Sequence, residues 1–169
     1  MRASRIVPVA LLAGSLLATP AVSGATNYSH FSSSTCNYHM DYPSGWRVDH
    51  TPLGDLFAHS VSARRFAGVW VICTPPSSRA SLTLITSGEV NSFKQRGWAP
   101  SMPKFSHGFG VFTGHRHVQA GTTAYTQLYE VITTVKKPRM YVVMYSGDSA
   151  SFITSLFDYL HMVSTFRGT

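Results

Sequence analysis

The chain is poor in charge: Asp, Glu, Lys and Arg make up 12% of its 169 residues, and only seven of those are acidic. Soluble domains usually carry about a quarter, so the polar surface here has to be built from Ser, Thr, His and Gly. Lys/Arg runs interleaved with aromatics are absent, which removes the usual footprint of a nucleic-acid site. There is no internal repeat, no low-complexity tract and no Pro/Gly/Ser linker dividing the chain, so a solenoid or a string of small modules is excluded. Past residue 25 no apolar run is long enough to span a bilayer. Cysteine is scarce, with two residues, Cys36 and Cys73.

The long apolar stretch that does exist is at the beginning. Arg2 and Arg5 precede residues 6–17, an apolar run that breaks at Pro20. This is the pattern of an export signal, with small residues at Ser23 and Ala25 fitting cleavage after Ala25 or after Ser23. A retained anchor is the alternative, disfavoured by the shortness of the run. Lipid attachment would need a Cys at the cut, and Cys36 lies eleven residues beyond Ala25. The expectation is a soluble exported protein, periplasmic or extracellular, with no transmembrane segment after cleavage. Removing residues 1–25 takes away two arginines, so the formal charge falls from +7 to +5. That balance suits an anionic surface such as a wall polymer or lipid headgroup. In an oxidising compartment two cysteines pair, and Cys36 and Cys73 are expected to form a disulfide.

Along the mature chain, residues 26–35 are Ser-rich and unpatterned and read as a flexible lead-in, leaving 36–169 as one globular domain. Residues 36–42 alternate and meet Pro43-Ser44-Gly45, a turn, before a returning strand at 46–49. Residues 50–65 fit a short helix from Leu56 or a strand through Phe57, His59 and Val61, and stay unassigned. Residues 69–74 and 81–86 read as strands on either side of a Pro-rich turn at 75–79. A two-turn helix follows at 89–96 with Val90 and Phe93 inward and Gly97 as its stop. Residues 99–110 read as a loop and 111–119 as a strand. Thr, Tyr, Val and Ile crowd residues 123–135, which predicts a strand. Lys136-Lys137-Pro138 turns the chain, and 140–145, apolar on both faces, predicts a strand covered on both sides. Asp148 or Ser149 then caps a helix. At ~100° per residue Phe152, Ile153, Leu156, Phe157, Leu160 and Val163 share its inward face, with Thr154, Ser155, Asp158 and His161 outward. Short connections between successive strands imply an α+β fold, a mostly antiparallel sheet with a C-terminal helix packed on it.

Two segments carry a family resemblance. Met40-Asp-Tyr-Pro-Ser-Gly-Trp-Arg-Val48 is similar to the "yPxGW" entry of the PsbP-like proteins and their bacterial DcrB and LpqN relatives. Residues 152–167, a helix running into Val-Ser-Thr-Phe-Arg, resemble that family's closing "helix then S-x-F" element. The resemblance spans residues 36–167 and implies an α/β/α sandwich in small exported accessory proteins that bind other proteins or surfaces. It carries over no site residues, because the family has no shared catalytic set.

Chemistry-bearing patterns are few. Gly147-Asp148-Ser149 resembles the surroundings of a serine nucleophile, but capping accounts for both Asp148 and Ser149, and nothing in the sequence supplies a base or an oxyanion donor. His115 and His117 stand two apart on a strand, so both imidazoles face one way and Arg116 the other. They are the candidate metal ligands, with His107, His39 or Asp41 as possible thirds; as the set is incomplete, no metal, cofactor or catalytic residue is assigned. Asp158 and His161 read as a solvated pair on the polar side of the helix. The expected role is a non-catalytic accessory or binding protein of the bacterial cell envelope. It would hold an envelope protein, lipid or wall component, or an anionic surface component, in a groove between sheet and loops. The alternative is a small secreted hydrolase or metal-dependent enzyme using His115 and His117.

Overall fold

A computed structural model describes residues 26–62, 65–74, 81–136 and 139–168. The export signal at 1–25 and the turn at 75–79 lie outside these residues. Among them the chain forms eleven strands and three helices: β1 Tyr28–Ser33, β2 Tyr38–Pro43, β3 Arg47–Thr51, β4 Gly54–Ser62, β5 Arg65–Thr74, α1 Leu82–Gln95, β6 Ala99–Pro100, β7 Lys104–Ser106, β8 Phe109–Ala120, β9 Thr123–Lys136, β10 Arg139–Asp148, α2 Ser149–Thr154, α3 Leu156–Thr165 and β11 Arg167–Gly168. The main sheet runs β3-β4-β5-β10-β9-β8-β6, with β7 also paired to β8, and every pairing in it is antiparallel. A second, three-stranded sheet runs β1-β2-β11.

The sheet carries helices on both faces, as the side chains of β10 show. Tyr141, Val143 and Tyr145 pack into one core with Tyr159 and Met162 of α3, whereas Val142 belongs to another with Val90 and Phe93 of α1. Neighbouring strand residues point to opposite faces. α1 therefore lies on one side, and α2, α3 and the small sheet on the other. The architecture is an α+β sandwich.

Cys36 and Cys73 are bridged, with their Cα atoms 5.6 Å apart. The bridge ties the β1–β2 turn to the end of β5. Tyr141 reinforces the same junction, its hydroxyl donating to the Cys36 and Asn37 carbonyls at 3.0 and 2.9 Å.

Four readings from sequence are corrected. Residues 26–35 contain β1, which pairs with β2 from Tyr28↔Pro43 to Ser33↔Tyr38. Its serines hide the pattern, but Phe31 packs edge-on against Phe57 at 5.0 Å. Residues 81–86 are helical rather than extended. Ser81 caps α1 by accepting from the Leu84 amide at 3.2 Å. The β-branched Thr86 is held in the helix by packing, its Oγ1 donating to the Leu82 carbonyl and meeting Thr133 Oγ1 at 2.6 Å. Tertiary contacts override propensity here. The 99–110 loop contains β6 and β7, short edge strands laid against β8.

The closing helix is the fourth. It breaks at Ser155 into α2 and α3, and its buried positions are Ser151, Ser155, Tyr159 and Met162. Phe152, Leu156 and Val163 pack partly buried against the core as expected, but Ile153, Phe157 and Leu160 are 67%, 81% and 49% exposed, so the inward face is turned by up to about one residue from the expected one. Tyr159 decides the rotation: its ring stacks on Tyr145 at 4.4 Å and its hydroxyl donates to Glu130 at 2.9 Å. Nor are Asp158 and His161 a solvated pair. The Tyr28 hydroxyl donates to Asp158 at 3.1 Å and its ring stacks on His161 at 3.7 Å. Of residues 50–65, left open by the sequence, Gly54–Ser62 form β4, which buries Phe57 completely.

Candidate functional site

On its own face of the sheet α1 packs against β6, β8 and β9. The same face of β4, β5 and β10 is left uncovered beside it, and a cavity of about 340 Å³ opens there. Ala58 and Gly68 keep its floor low, and Leu56, Phe66, Trp70 and Met144 make it apolar. The end of α1 forms the wall. Gly97 adopts φ +76°, a left-handed conformation that stops the helix. Its amide donates to the Lys94 carbonyl at 3.0 Å, and the Trp98 amide to that of Phe93 at 3.1 Å. This is the paired-bond helix ending in which the second residue past the cap folds back on the last turn. The Trp98 ring accordingly sits 5.6 Å from Phe93 and edge-on to Tyr129 at 4.6 Å.

Two guanidinium groups stand at this wall. Arg116, on β8, lies with its guanidinium carbon 4.2 Å over the Trp98 ring. Its Nε donates to Gln127 Oε1 at 2.9 Å, and Gln127 Nε2 donates to Ser146 Oγ at 2.9 Å. That relay crosses β8, β9 and β10 and fixes the planar head at the groove. Arg96 lies 4.7 Å over Phe93 and donates from Nε to the Ser92 carbonyl at 3.2 Å. Among the described residues the ion pairs are His30–Asp41, Arg47–Asp49 and His50–Asp55, so no carboxylate is within bonding distance of either arginine.

Beneath the wall two polar atoms are buried without a hydrogen-bond partner among the described residues, Trp70 Nε1 and the Tyr129 hydroxyl. Burial pushes the Tyr129 hydroxyl up to about 12, against the opposing charge of Arg96. It fits because β8 carries Gly114 there: a Cβ at that position would collide with the Tyr129 hydroxyl.

The other face holds the residues singled out by sequence. His115 and His117 do share a face of β8, their rings 5.8 Å apart, with His117 Nδ1 3.1 Å from Thr126 Oγ1. His107 sits in the β7–β8 turn with Nδ1 2.6 Å from Ser106 Oγ, and Asp41 bonds to His30. The described residues contain no group of three or more His, Cys, Asp or Glu able to hold a metal.

Asp148 is the helix cap, Oδ1 accepting from the Ala150 and Ser151 amides and Oδ2 from that of Phe66. Burial would raise its carboxyl, but bonds from Ser151, Phe66 and Ala150 outweigh this and hold it below its ordinary range. Ser149 is exposed in the first turn of α2. A further pair, His50 Nδ1 to Asp55 Oδ1 at 2.7 Å, shares the buried Asp55 with the Tyr38 hydroxyl, which donates to Oδ2 at 2.7 Å. Burial and Asp55 together raise Tyr38 far above the usual tyrosine range. The arrangement anchors β2 to β4.

The main sheet, its two unequal layers and the bridged small sheet make up a fold shared with solved proteins of low sequence identity. The cyanobacterial PsbP protein CyanoP of Synechocystis sp. PCC 6803 superposes with a TM-score of 0.53 at 16% identity, over 90% of this chain and 99% of that one. The chain has the PsbP-like fold. LpqN of Mycobacterium tuberculosis, described as involved in cell envelope biogenesis, superposes with a TM-score of 0.52 at 8% identity, over 86% of each chain. The Ran-binding protein Mog1p of Saccharomyces cerevisiae gives 0.57 at 10% identity, over 85% of this chain and 96% of that one. No protein-family model matches the sequence, and no curated protein matches it.

The groove residues were largely invisible in the sequence. Trp70 comes from β5, Arg96 and Trp98 from the turn after α1, and Arg116 from β8, with no spacing to link the three. One signal was available: the alternation that puts His115 and His117 together sends Arg116 to the opposite face, where the groove lies.

Proposed function

We propose that this PsbP-like chain is an exported, non-catalytic binding protein of the bacterial cell envelope that holds its ligand in the groove beside α1. The observation that carries the reading is the groove itself: an apolar floor on rigid central strands with two arginines at its wall. Pockets of this size, mostly apolar with a few fixed polar groups, are the usual form of a small-molecule site. The reading is also supported by the cysteine bridge, which suits an oxidising compartment, and by the structural likeness to LpqN. Of the patterns that suggested hydrolysis, Gly147-Asp148-Ser149 has a structural duty in its Asp148, which caps α2.

The test is to express the full 169-residue chain with its first 25 residues, recover it from the periplasmic fraction, and identify small molecules released on denaturation. The expected result is a chain beginning near Thr26 with a copurified ligand, and loss of that ligand in Ala58→Phe, which fills the groove floor. Retention in the cytoplasm contradicts export. Undiminished ligand in Ala58→Phe contradicts the groove.

A further inference from the structure

The chemistry of the groove goes beyond the presence of a ligand and specifies what kind. Its floor is apolar, and its polar groups are gathered at one wall. Arg116 is the better fixed of the two cations. Trp98 supports one face of its guanidinium, and Gln127 occupies its Nε, so the terminal nitrogens remain as a fork for a planar acceptor. Arg96 is exposed at the end of α1, and no carboxylate among the described residues is within bonding distance of either group. Glu89, two turns back on α1, interacts with Arg96 through space. Two arginines offset in part by one glutamate leave room for about one negative charge, which suits a monoanion better than a phosphate dianion.

Size narrows the class further. Taking ~30 Å³ per non-hydrogen atom, the share of one water in the liquid, a cavity of about 340 Å³ takes roughly a dozen such atoms. A medium-chain acid fills that space. An apolar tail over Ala58, Gly68 and Met144 leaves the head at the wall, beside the arginine fork.

Resting on the reading of the groove as the binding site, we infer that its ligand is an amphiphilic monocarboxylate with a single compact apolar chain, whose head group is taken by Arg116 and Arg96.

The experiment compares decanoate with 1-decanol, the neutral molecule of equal chain length, by titration against the tryptophan emission of the full chain. Wild type, Arg116→Gln, Arg96→Gln and Ala58→Phe are measured side by side. Decanoate is expected to bind at least about tenfold more tightly than decanol, as a charge-assisted bidentate bond would give. That preference should vanish in Arg116→Gln and shrink in Arg96→Gln, while decanol is unaffected. Because Arg96 is exposed and makes one backbone bond, its variant keeps the test valid if Arg116→Gln fails to fold. Equal binding of acid and alcohol, unchanged in both arginine variants but lost in Ala58→Phe, overturns the monocarboxylate and leaves the groove standing. Binding of neither, or binding unaffected by Ala58→Phe, overturns both.

Discussion

The two faces of the central sheet are built to different standards. On the α3 face, Tyr145 lies between Phe152 and Tyr159 with ring centroids 4.4 Å from each. Tyr38, Tyr141 and Phe166 form a second cluster beside the cysteine bridge. Hydroxyls there are satisfied, by Glu130 for Tyr159 and by backbone carbonyls for Tyr141 and Tyr145. On the α1 face one helix covers part of the width, the rest is open, and three buried polar atoms, Trp70 Nε1, Thr74 Oγ1 and the Tyr129 hydroxyl, lack partners among the described residues. A well-packed layer with saturated hydrogen bonds leaves little for a ligand to gain. An under-covered layer with spare donors on rigid strands is where binding is least costly, since the strands do not have to reorganise.

The contrast can be broken by substitution. Met162 is fully buried on the dense face, so Met162→Ala should cost roughly 2–5 kcal/mol in chemical denaturation, the usual range for losing a buried side chain of this size. Replacing both Cys36 and Cys73 with Ser should cost roughly 3–4 kcal/mol for a bridge closing 37 residues, in the chain-entropy model. If either loss fell under about 1 kcal/mol, the dense face would not be the main source of stability.

Asp148 gives the comparison a pH axis. Its carboxyl is held below its ordinary range in the folded chain, so its contribution is present above the unfolded value of about 4 and is lost as pH falls through the folded value. Asp148→Ala should therefore destabilise by roughly 1–2 kcal/mol at pH 7, as for a lost cap, and should flatten the acid limb of a stability-against-pH curve. An unchanged acid limb would show that Asp148 does not govern it.

The smallest effects belong to one half-buried position in the groove and one exposed position on α3. Ala58→Phe, in the open groove, should change stability by under about 1 kcal/mol while abolishing ligand binding. Phe157→Ser, on the outer side of α3, should change it by under about 0.5 kcal/mol. A large loss in Phe157→Ser would mean that this side chain is covered after all, and that the inward face of α3 is the one predicted from sequence.

That face shows where sequence reading stopped. The long strands from residue 109 onward were legible, because alternation and β-branched residues leave little choice. The helix was legible too, with its cap narrowed to Asp148 or Ser149, but its rotation was not. Weighing Ile, Leu, Phe and Val alone put Phe157 inside and left out Tyr159 and Met162. Tyr159 is buried because Glu130 meets its hydroxyl from the neighbouring sheet, a partner 29 residues away. The β1 strand was hidden because its serines carry no apolar pattern and its anchors, Tyr28 and Phe31, pack against α3 and β4, partners distant in sequence. The groove was illegible for a related reason: it exists because α1 is narrower than the sheet beneath it, which no local pattern encodes.

The central claim, that ligand binds on the open face and the dense face only supports it, can be read from the three tryptophans of the chain. Trp70 and Trp98 line the groove, and Trp46 is buried in the core of the opposite face, stacked on His59 at 5.9 Å. In a ¹H–¹⁵N spectrum recorded while decanoate is added, the indole N–H signals of Trp70 and Trp98 should shift together and saturate, with that of Trp46 stationary. A shift of Trp46 with Trp70 and Trp98 unmoved would contradict the account.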